Sequence, residues 1–345
     1  MNYKKLLAYI ILLSLLTVSL FACQNNSSNN SPKPENDEPN QQENTPIVTV
    51  TPNYSYATMK EQVNKLDERY DNIDVTSIGK SVNNRKLFLL KLGNGDKKII
   101  VTSGFHGREN ITSLLTLKLL EEYAKHFDAS QDIGNYDLHK LFNKVTFYFI
   151  PMLNPDGINI AIHGLSNQTN KDFYIKANEG NSEFKRWKAN SRGVDLNKQF
   201  KADWEVVESK EEPHFESYKG PSPESEPESQ ALAQLTRKNK FAAAVSFHHS
   251  GSVIYWYYNQ TGNQYDRDYQ LAKKLSTKNG YELVDPEESD TRAAGYKDWF
   301  IKEFKKPGFT IEIGDGKVEG PLPPTKLIEY FEENREVLLE LARNT

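Results

Sequence analysis

The sequence predicts an α/β protein: a single domain with a mixed, mostly parallel central β-sheet covered by helices on both faces. Three observations predict it. Short β-branched or aromatic runs alternate with segments of helical spacing. Residues 145–150 are almost all apolar or aromatic, which is typical of a strand buried on both faces. No second linker interrupts the last 290 or so residues, and a chain of that length can still form one core.

The individual elements are predicted from local pattern. Met59 to Tyr70 has helical spacing, and Asn83-Asn84 marks a turn between two strands. A Ser225…Glu228 capping box opens a later helix, whereas Glu205 to Glu228 is rich in Glu and Pro and predicts a surface excursion. The predicted strands are 73–78, 86–92, 98–102, 145–150, 241–247 and 309–313. The helix opened by the capping box runs to about Lys240, and the other predicted helices are 114–126 and 324–343.

Composition excludes several classes of function. The 345 residues hold 43 Lys and Arg against 47 Asp and Glu, giving a formal charge of −4. Because no basic stripe stands out, we expect no nucleic-acid partner. A single cysteine excludes an internal disulfide and a four-thiolate zinc site.

The first residues have the pattern of an export signal. Lys4-Lys5 precede an apolar run from Leu6 to Phe21, which is too short for a comfortable membrane span. The sequence Leu20-Phe21-Ala22-Cys23 resembles a bacterial lipoprotein cleavage site, in which the cysteine becomes lipidated. A plain signal peptide, or an uncleaved anchor with Cys23 incidental, is the alternative.

The predicted organisation has three parts. Residues 1–22 form a lipoprotein signal peptide, residues 23–50 a disordered tether, and residues 51–345 the folded domain. Residues 24–46 contain no aliphatic or aromatic side chain and therefore cannot bury enough surface to fold. Removing the signal takes the formal charge to −6, because it contains two lysines and no acidic residue. We expect an extracytoplasmic protein, lipid-anchored to the outer face of the bacterial cytoplasmic membrane.

Polar residues follow two of the predicted strands. His106 and Glu109 come after strand 98–102, and His248 follows strand 241–247. Ligands of open α/β sheets bind at the carboxyl ends of strands, and two imidazoles with a carboxylate fit zinc. Spacing alone is weak, since chance predicts about one H-x-x-[DE] in this chain, and a helix-start histidine with a helix-dipole carboxylate is the alternative.

Three further motifs strengthen a functional interpretation. Asn190 to Asn197 places an Arg, an Asp and an Asn around a tight turn, and Asn154-Pro155-Asp156-Gly157 follows strand 145–150. Glu312 lies inside a strand between isoleucines, where a carboxylate is costly unless it is paired or functional. A salt-bridged structural glutamate is the alternative.

The ordered set of motifs resembles the zinc carboxypeptidases of the carboxypeptidase A superfamily. The motifs are G-F-H-G-R-E, N-P-D-G, G-V-D-L-N, F-H-H-S-G and F-T-I-E-I-G, from about Tyr54 to the end. Tyr218 to Pro221 and Gly295 to Phe300 resemble, more narrowly, bacterial γ-D-glutamyl-L-diamino acid peptidases, which cut peptidoglycan stem peptides. The resemblance implies the zinc carboxypeptidase fold and one zinc ion per chain.

The resemblance also implies a metal site. His106, Glu109 and His248 would bind zinc, and Asp195 would hold His106 by its other ring nitrogen. His249 is the rival third ligand, because neighbours on a strand point to opposite faces and only one can reach the metal. The family pattern H-x-x-G favours His248.

Further roles follow from the same resemblance. Glu312 would be the general base for a water molecule activated by zinc. Arg192, with Lys188 as its competitor, would stabilise the oxyanion.

The predicted substrate-binding residues are Asn197, Lys198 and Lys297. Lys198 stands where the exopeptidases have an arginine that clamps the terminal carboxylate, which weakens strict recognition of a C-terminus. Lys297 falls at the floor of the family's specificity pocket and would favour an acidic group such as the distal carboxylate of diaminopimelate. A surface lysine is the alternative.

The resemblance implies a zinc peptidase that hydrolyses the γ-D-glutamyl–diaminopimelate bond of peptidoglycan stem peptides. A general zinc carboxypeptidase acting on extracellular peptides is one alternative. The other is a non-catalytic lipoprotein that only binds wall fragments.

Overall fold

The computed structural model describes residues 45–166, 168–249, 251–287, 294–316 and 318–345. The predicted signal peptide, Cys23 and most of the predicted tether therefore lie outside the described residues. Pro46–Thr345 forms one compact unit. No helix in the described part of the chain is both long enough and apolar enough to cross a membrane.

The described residues form one eight-stranded mixed sheet with helices, and this confirms the predicted fold class. The helices are α1 Tyr56–Arg69, α2 Asn110–Asp128, α3 Leu138–Phe142, α4 Pro155–His163, α5 Lys171–Ala177, α6 Pro227–Lys238, α7 Gly262–Asn279, α8 Tyr296–Phe304, α9 Leu327–Asn334 and α10 Val337–Asn344. The strands are β1 Ile73–Lys80, β2 Lys86–Leu92, β3 Lys97–Ser103, β4 Val145–Ile150, β5 Phe241–His249, β6 Val253–Tyr255, β7 Glu282–Leu283 and β8 Gly308–Ile313. Short 3-10 helices cover Gly107–Glu109, Leu196–Lys198 and Pro324–Lys326.

The order of strands across the sheet is β1-β2-β4-β3-β5-β8-β6-β7. The four central strands β4, β3, β5 and β8 are parallel. The chain crosses from β3 to β4 on one side and later returns to β5 on the other side. This change of direction makes the carboxyl ends of β3 and β5 a topological switch point, where open α/β sheets bind their ligands.

Alternating side chains of the central strands fill a core on each face of the sheet. Ile99 and Val101 of β3 pack in one core with residues of α2, α9 and α10. Ile100 packs in the other core, with Trp299 of α8 and Leu232 of α6. All six residues of β4 are buried, as its apolar sequence predicts.

The compact unit begins before residue 51. Ile47 and Val48 are buried, and their backbone N–H groups donate to the Glu121 carboxylate on α2, at 2.6 and 3.0 Å. Glu121 is itself buried. The predicted start of the folded domain at residue 51 is thus too late. Ile47 and Val48 belong to the folded unit because they bind a partner on α2, and local composition does not reveal that partner.

The Glu- and Pro-rich stretch is only partly a surface excursion. Phe215 is buried, and its N–H donates to the Ala177 carbonyl at 2.8 Å. The capping box is wrong: α6 begins at Pro227, and the Ser225 hydroxyl donates to Gln199 instead. A long-range partner on the neighbouring loop therefore displaces the local cap.

The predicted helix 324–343 is interrupted. α9 ends at Asn334 and α10 begins at Val337. The Tyr123 hydroxyl of α2 donates to the Arg335 carbonyl at 2.7 Å, which takes that carbonyl out of the helical ladder.

Three buried carboxylates, those of Asp156, Glu226 and Glu228, lie behind the loop that follows α5. Arg85 forms an ion pair with Asp156, and the Asn190 amide donates to Glu226 at 2.8 Å. Burial, with smaller contributions from the charges of Asp156 and Glu226, raises the pKa of Glu228 to about 7. Glu228 is therefore protonated in the folded protein at pH values where it is ionised in the unfolded chain.

We expect Glu228→Gln to stabilise the protein at pH 8 and to leave its stability unchanged near pH 4.5. Because the folded-state pKa lies above the unfolded one, the wild type loses stability as pH rises through this window, by up to roughly 3 kcal/mol. Glutamine keeps the acceptor for the Val82 N–H and does not titrate. Urea unfolding at the two pH values tests this, with the exposed Glu332→Gln as control; an equal shift at both pH values would contradict it.

Candidate active site

A tight turn after β3 presents His106 and Glu109. Gly104 has a φ of +63°, and a Cβ there would lie 2.6 Å from the Ser113 hydroxyl, so only glycine fits. His106 caps the 3-10 helix Gly107–Glu109, which leads directly into α2. The carboxyl end of β3 therefore delivers two of the predicted ligands within one turn.

Asn154 holds this turn against the loop around residue 188. Its side-chain amide donates to the carbonyls of Phe105, Lys188 and Ala189 at 2.9 to 3.2 Å. The Gly107 N–H also donates to the Lys188 carbonyl, at 3.0 Å. The N-P-D-G motif thus supplies the clamp between the two loops that carry site residues.

The structure brings His106, Glu109 and His248 together. Glu109 Oε1 lies 2.6 Å from His106 Nδ1, and Oε2 lies 3.0 Å from His248 Nδ1. One ligand atom from each residue lies within 4.8 Å of the others, and among the described residues this is the one group of three or more His, Cys, Asp or Glu that could hold a metal ion. His249 instead bonds the Arg108 carbonyl through Nε2, at 3.1 Å, so His248 is the histidine against Glu109.

Asp195 orients His106 from behind. Its Oδ1 lies 3.1 Å from His106 Nε2, and its carboxylate also accepts the N–H groups of Asn197 and Ser217. Burial opposes ionisation, but the charge of His106 and the hydrogen bond to it lower the pKa of Asp195. An ionised Asp195 keeps the proton of His106 on Nε2 and leaves the Nδ1 lone pair for a metal.

The donor set fits zinc. Two imidazole Nδ1 atoms and a buried carboxylate converge on one point, as in three-ligand catalytic zinc sites. Burial opposes the charged forms of His106 and Glu109. The charges of Glu109 and Asp195 nevertheless raise the pKa of His106 to about 9, and His106 and His248 hold the pKa of Glu109 well below its usual range. Bound there, zinc would polarise a carbonyl and activate water.

Glu312 lies beside this group. On the parallel strands β5 and β8, His248 and Glu312 occupy the same register position. Burial, and after it the negative charge of Glu109, raise the pKa of Glu312 to about 8. A bound dication would reverse the second effect and lower that pKa.

Of the two candidate cations, the structure favours Lys188. The Lys188 ammonium lies close enough to the site for its charge to act on two carboxyl groups there. It opposes the rise in the pKa of Glu312 and helps to lower the pKa of Asp195. The Arg192 side chain is 55% exposed, and its guanidinium lies 3.5 Å from Glu226. Arg192 instead lines a surface pocket with Gln168 and Tyr174, so we prefer Lys188 to the predicted Arg192 as the cation that stabilises the oxyanion.

Arg108 is a neighbour of the site that the sequence interpretation missed. Its positive charge also opposes the rise in the pKa of Glu312. Its Nη1 donates to the Glu319 carbonyl at 2.7 Å. Its place between the two ligands in H-G-R-E is the signal that could have identified it.

The predicted substrate-binding residues have different surroundings. The Asn197 side-chain oxygen accepts the Tyr296 N–H at 3.2 Å, which ties the turn to α8. Lys198 Nζ donates to the Glu208 carbonyl at 3.2 Å.

Lys297 is buried: it is 7% exposed, and its Nζ donates to the Tyr257 carbonyl at 2.7 Å and pairs with Asp298. This excludes the alternative of a surface lysine.

We expect Asp195→Asn to weaken zinc binding by about 10- to 100-fold. Both Asp195 oxygens accept backbone N–H groups, so an amide would turn its NH₂ toward a donor in either orientation. Competition with a chromophoric chelator measures the affinity, and Asp74→Asn, at a surface ion pair with Lys91, is the control. An unchanged affinity would remove Asp195 from the support of His106.

The fold and the site together define a zinc metallopeptidase. The zinc carboxypeptidase family profile matches residues 59–337, so the chain belongs to that family, as the motifs predicted.

Two curated relatives and one solved structure illustrate this. The chain is 35% identical over 290 residues to gamma-D-glutamyl-L-diamino acid endopeptidase 1 of Lysinibacillus sphaericus, covering 83% of this chain and 72% of that protein. It is 31% identical over 192 residues to carboxypeptidase A6 of Homo sapiens, covering 54% and 40%. The structure of thrombin activatable fibrinolysis inhibitor superposes with a TM-score of 0.69 at 21% identity, covering 87% of this chain and 76% of that one, which is a likeness of fold.

Proposed function

We propose that this zinc metallopeptidase hydrolyses the γ-D-glutamyl–diaminopimelate bond of peptidoglycan stem peptides. The observation that carries the proposal is the buried Lys297–Asp298 pair at the start of α8, at the family's specificity position. The similarity to a γ-D-glutamyl-L-diamino acid endopeptidase supports the same bond.

The chain's own residues divide the chemistry between them. Glu312 accepts a proton from the attacking water and delivers it to the leaving amine. The Lys188 ammonium stabilises the negative charge that develops on the carbonyl oxygen. Asp195 keeps His106 in the tautomer that binds metal, and Asn154 holds the two loops at a fixed distance.

The Lys297–Asp298 pair matches the end of the diaminopimelate side chain. That side chain ends in a carbon that carries both a carboxylate and an amine. A lysine ammonium next to an aspartate complements both groups, whereas the side chains of alanine and lysine offer at most one of them. We therefore assign selectivity for the diamino acid to this pair.

Lys297→Met is expected to reduce the preference for diaminopimelate over alanine at this position by roughly 10- to 100-fold, the value of a hydrogen bond to a charged group. The preference is the ratio of the two kcat/KM values, so it does not depend on the fraction of enzyme that is folded. Lys302→Ala, an exposed lysine on the same helix, is the control. An unchanged ratio in Lys297→Met would exclude the pair as the determinant.

Mass spectrometry of the products of L-Ala-γ-D-Glu-diaminopimelate-D-Ala, with and without a chelator, tests the function. Chelator-sensitive release of L-Ala-D-Glu is the expected result. Release of D-Ala alone would favour the general carboxypeptidase, and binding without turnover would favour the non-catalytic lipoprotein. The Lys198 ammonium, held by the Glu208 carbonyl, offers no bidentate clamp for a terminal carboxylate, which favours the endopeptidase.

The same proposal includes an extracytoplasmic location with lipid on Cys23. Its support is the sequence pattern alone: an apolar run that ends at the chain's single cysteine. In a bacterial host, Cys23→Ala is expected to shift the protein from the membrane fraction to the soluble fraction. Retention in the membrane fraction after a high-salt wash, which removes electrostatically bound protein, would favour an uncleaved anchor.

A further inference from the structure

Lysines stand at the amino ends of all four central parallel strands. Lys97 begins β3, Lys144 and Lys240 immediately precede β4 and β5, and Lys306 lies two residues before β8. Because these strands are parallel, their amino ends meet at one edge of the sheet, opposite the carboxyl ends that carry His106 and His248. All four lysines are exposed.

Two neighbouring surface pockets at this edge are strongly basic. Both are lined by Thr345, so they adjoin. Their linings include seven basic residues and one acidic residue, Asp137, which pairs with Lys140. With Lys240, the basic residues form what we call the basic edge: Lys97, Lys140, Lys144, Lys240, Arg267, Lys274, Lys306 and Arg343.

Much of this charge is not neutralised within the protein. Among the described residues, Lys144, Lys240 and Lys306 form no ion pair. Arg343 pairs with Glu340, and Arg267 pairs with Asp268. Lys97 Nζ donates to a Thr345 oxygen at 2.6 Å, and Asp96, beside Lys97, is a further exposed carboxylate nearby. Since the whole chain has a formal charge of −4, so high a density of cations at one edge is a local departure that attracts anions.

With the lipid anchor proposed on Cys23, on which this step rests, the path of the first described residues favours a membrane surface at this edge over a soluble anion. The Tyr54 carbonyl accepts a hydrogen bond from the side-chain amide of Asn110, at the start of α2 and next to the site. The N–H groups of Ile47 and Val48 donate to Glu121, which lies eleven residues further along α2 and therefore about 16 Å nearer the basic edge. The chain thus enters the compact unit on the side of the basic edge, away from the site.

We infer that the basic edge docks on a membrane surface rich in anionic phospholipid and so turns the catalytic end of the sheet away from the bilayer. A broad array of lysines around shallow pockets suits many dispersed phosphates better than one bound anion. The inference concerns orientation, goes beyond the proposed substrate, and can fail or hold independently of it.

Sedimentation of the full chain with vesicles tests this. One set of vesicles contains three parts phosphatidylcholine to one part phosphatidylglycerol, and the other contains phosphatidylcholine alone. The test variant combines Lys144→Glu, Lys240→Glu and Lys306→Glu. The control variant combines Lys60→Glu, Lys171→Glu and Lys210→Glu, which are exposed lysines outside the basic edge. Peptidase activity of both variants reports that they are folded.

We expect tighter binding to the anionic vesicles. The test variant should lose on the order of a hundredfold in that binding, because each lysine near an anionic surface contributes about fivefold. The control variant should lose much less. An equal loss in both variants, or equal binding of the wild type to both kinds of vesicle, would overturn the inference. So would tighter binding, at equal phosphate, to soluble poly(glycerol phosphate), which would assign the edge to a wall polymer.

Discussion

Replacing Glu312 with glutamine is expected to lower kcat by about 10²- to 10⁴-fold while one zinc ion per chain stays bound. Glutamine is isosteric with glutamate but cannot accept a proton from water. Glu312 is not one of the three residues that would bind the zinc. His106 and His248 contact Glu109, and Glu312 lies beside them on β8. The metal content should therefore be unchanged. Single-turnover hydrolysis and zinc analysis of the same preparation measure both quantities.

The pH profile separates a general base from a merely structural carboxylate. A base must be ionised, so activity in the wild type should rise with pH through the pKa of Glu312. Burial raises that pKa, and a bound dication opposes the rise. Glu312→Gln should lose this rise of activity with pH, the acid limb of the profile, together with the rate. Glu282→Gln, an exposed glutamate on β7 of the same sheet, should keep both. Wild-type turnover in Glu312→Gln, or an unchanged acid limb, would exclude Glu312 as the base.

Much of the site could be predicted because its residues follow or occupy buried strands. β3, β5 and β8 have apolar sequences, so their positions and parallel arrangement follow from pattern, and His106, His248 and Glu312 fall at their carboxyl ends. Strand pairing then fixes which side chains meet: His248 and Glu312 share a register position.

The residues that could not be predicted depend on contacts between distant loops. Arg192 and Lys188 lie four residues apart in an irregular segment, and no periodicity tells which of them faces the metal. Which of the two lies near the site depends on how the loop packs: the Gly107 N–H and the Asn154 amide donate to the Lys188 carbonyl and hold that part of the loop against the turn that carries His106. Likewise, Glu121 extends the folded unit to Ile47, and Phe215 is buried against α5, through partners far away in sequence.

Lys188→Met is expected to lower kcat and kcat/KM together, by about 10²- to 10³-fold, as loss of an oxyanion-stabilising group does. The Lys188 carbonyl, which accepts the Gly107 N–H and the Asn154 amide, belongs to the main chain and survives the substitution. Methionine also keeps the length of the aliphatic stem. The turn and the zinc affinity should therefore persist, and steady-state kinetics with a chelator titration measures both.

Arg192→Met is the matched control, because it removes a cation four residues away on the same loop. Its guanidinium is half exposed and lies near Glu226, so kcat should change by less than about twofold. Lys188→Arg should recover part of the lost rate, since it restores the charge with a different geometry. If Arg192→Met loses the rate and Lys188→Met keeps it, the loop must turn during catalysis so that Arg192 reaches the carbonyl oxygen. Equal losses in both variants would instead mean that the loop's total charge matters, and that neither cation contacts the oxyanion.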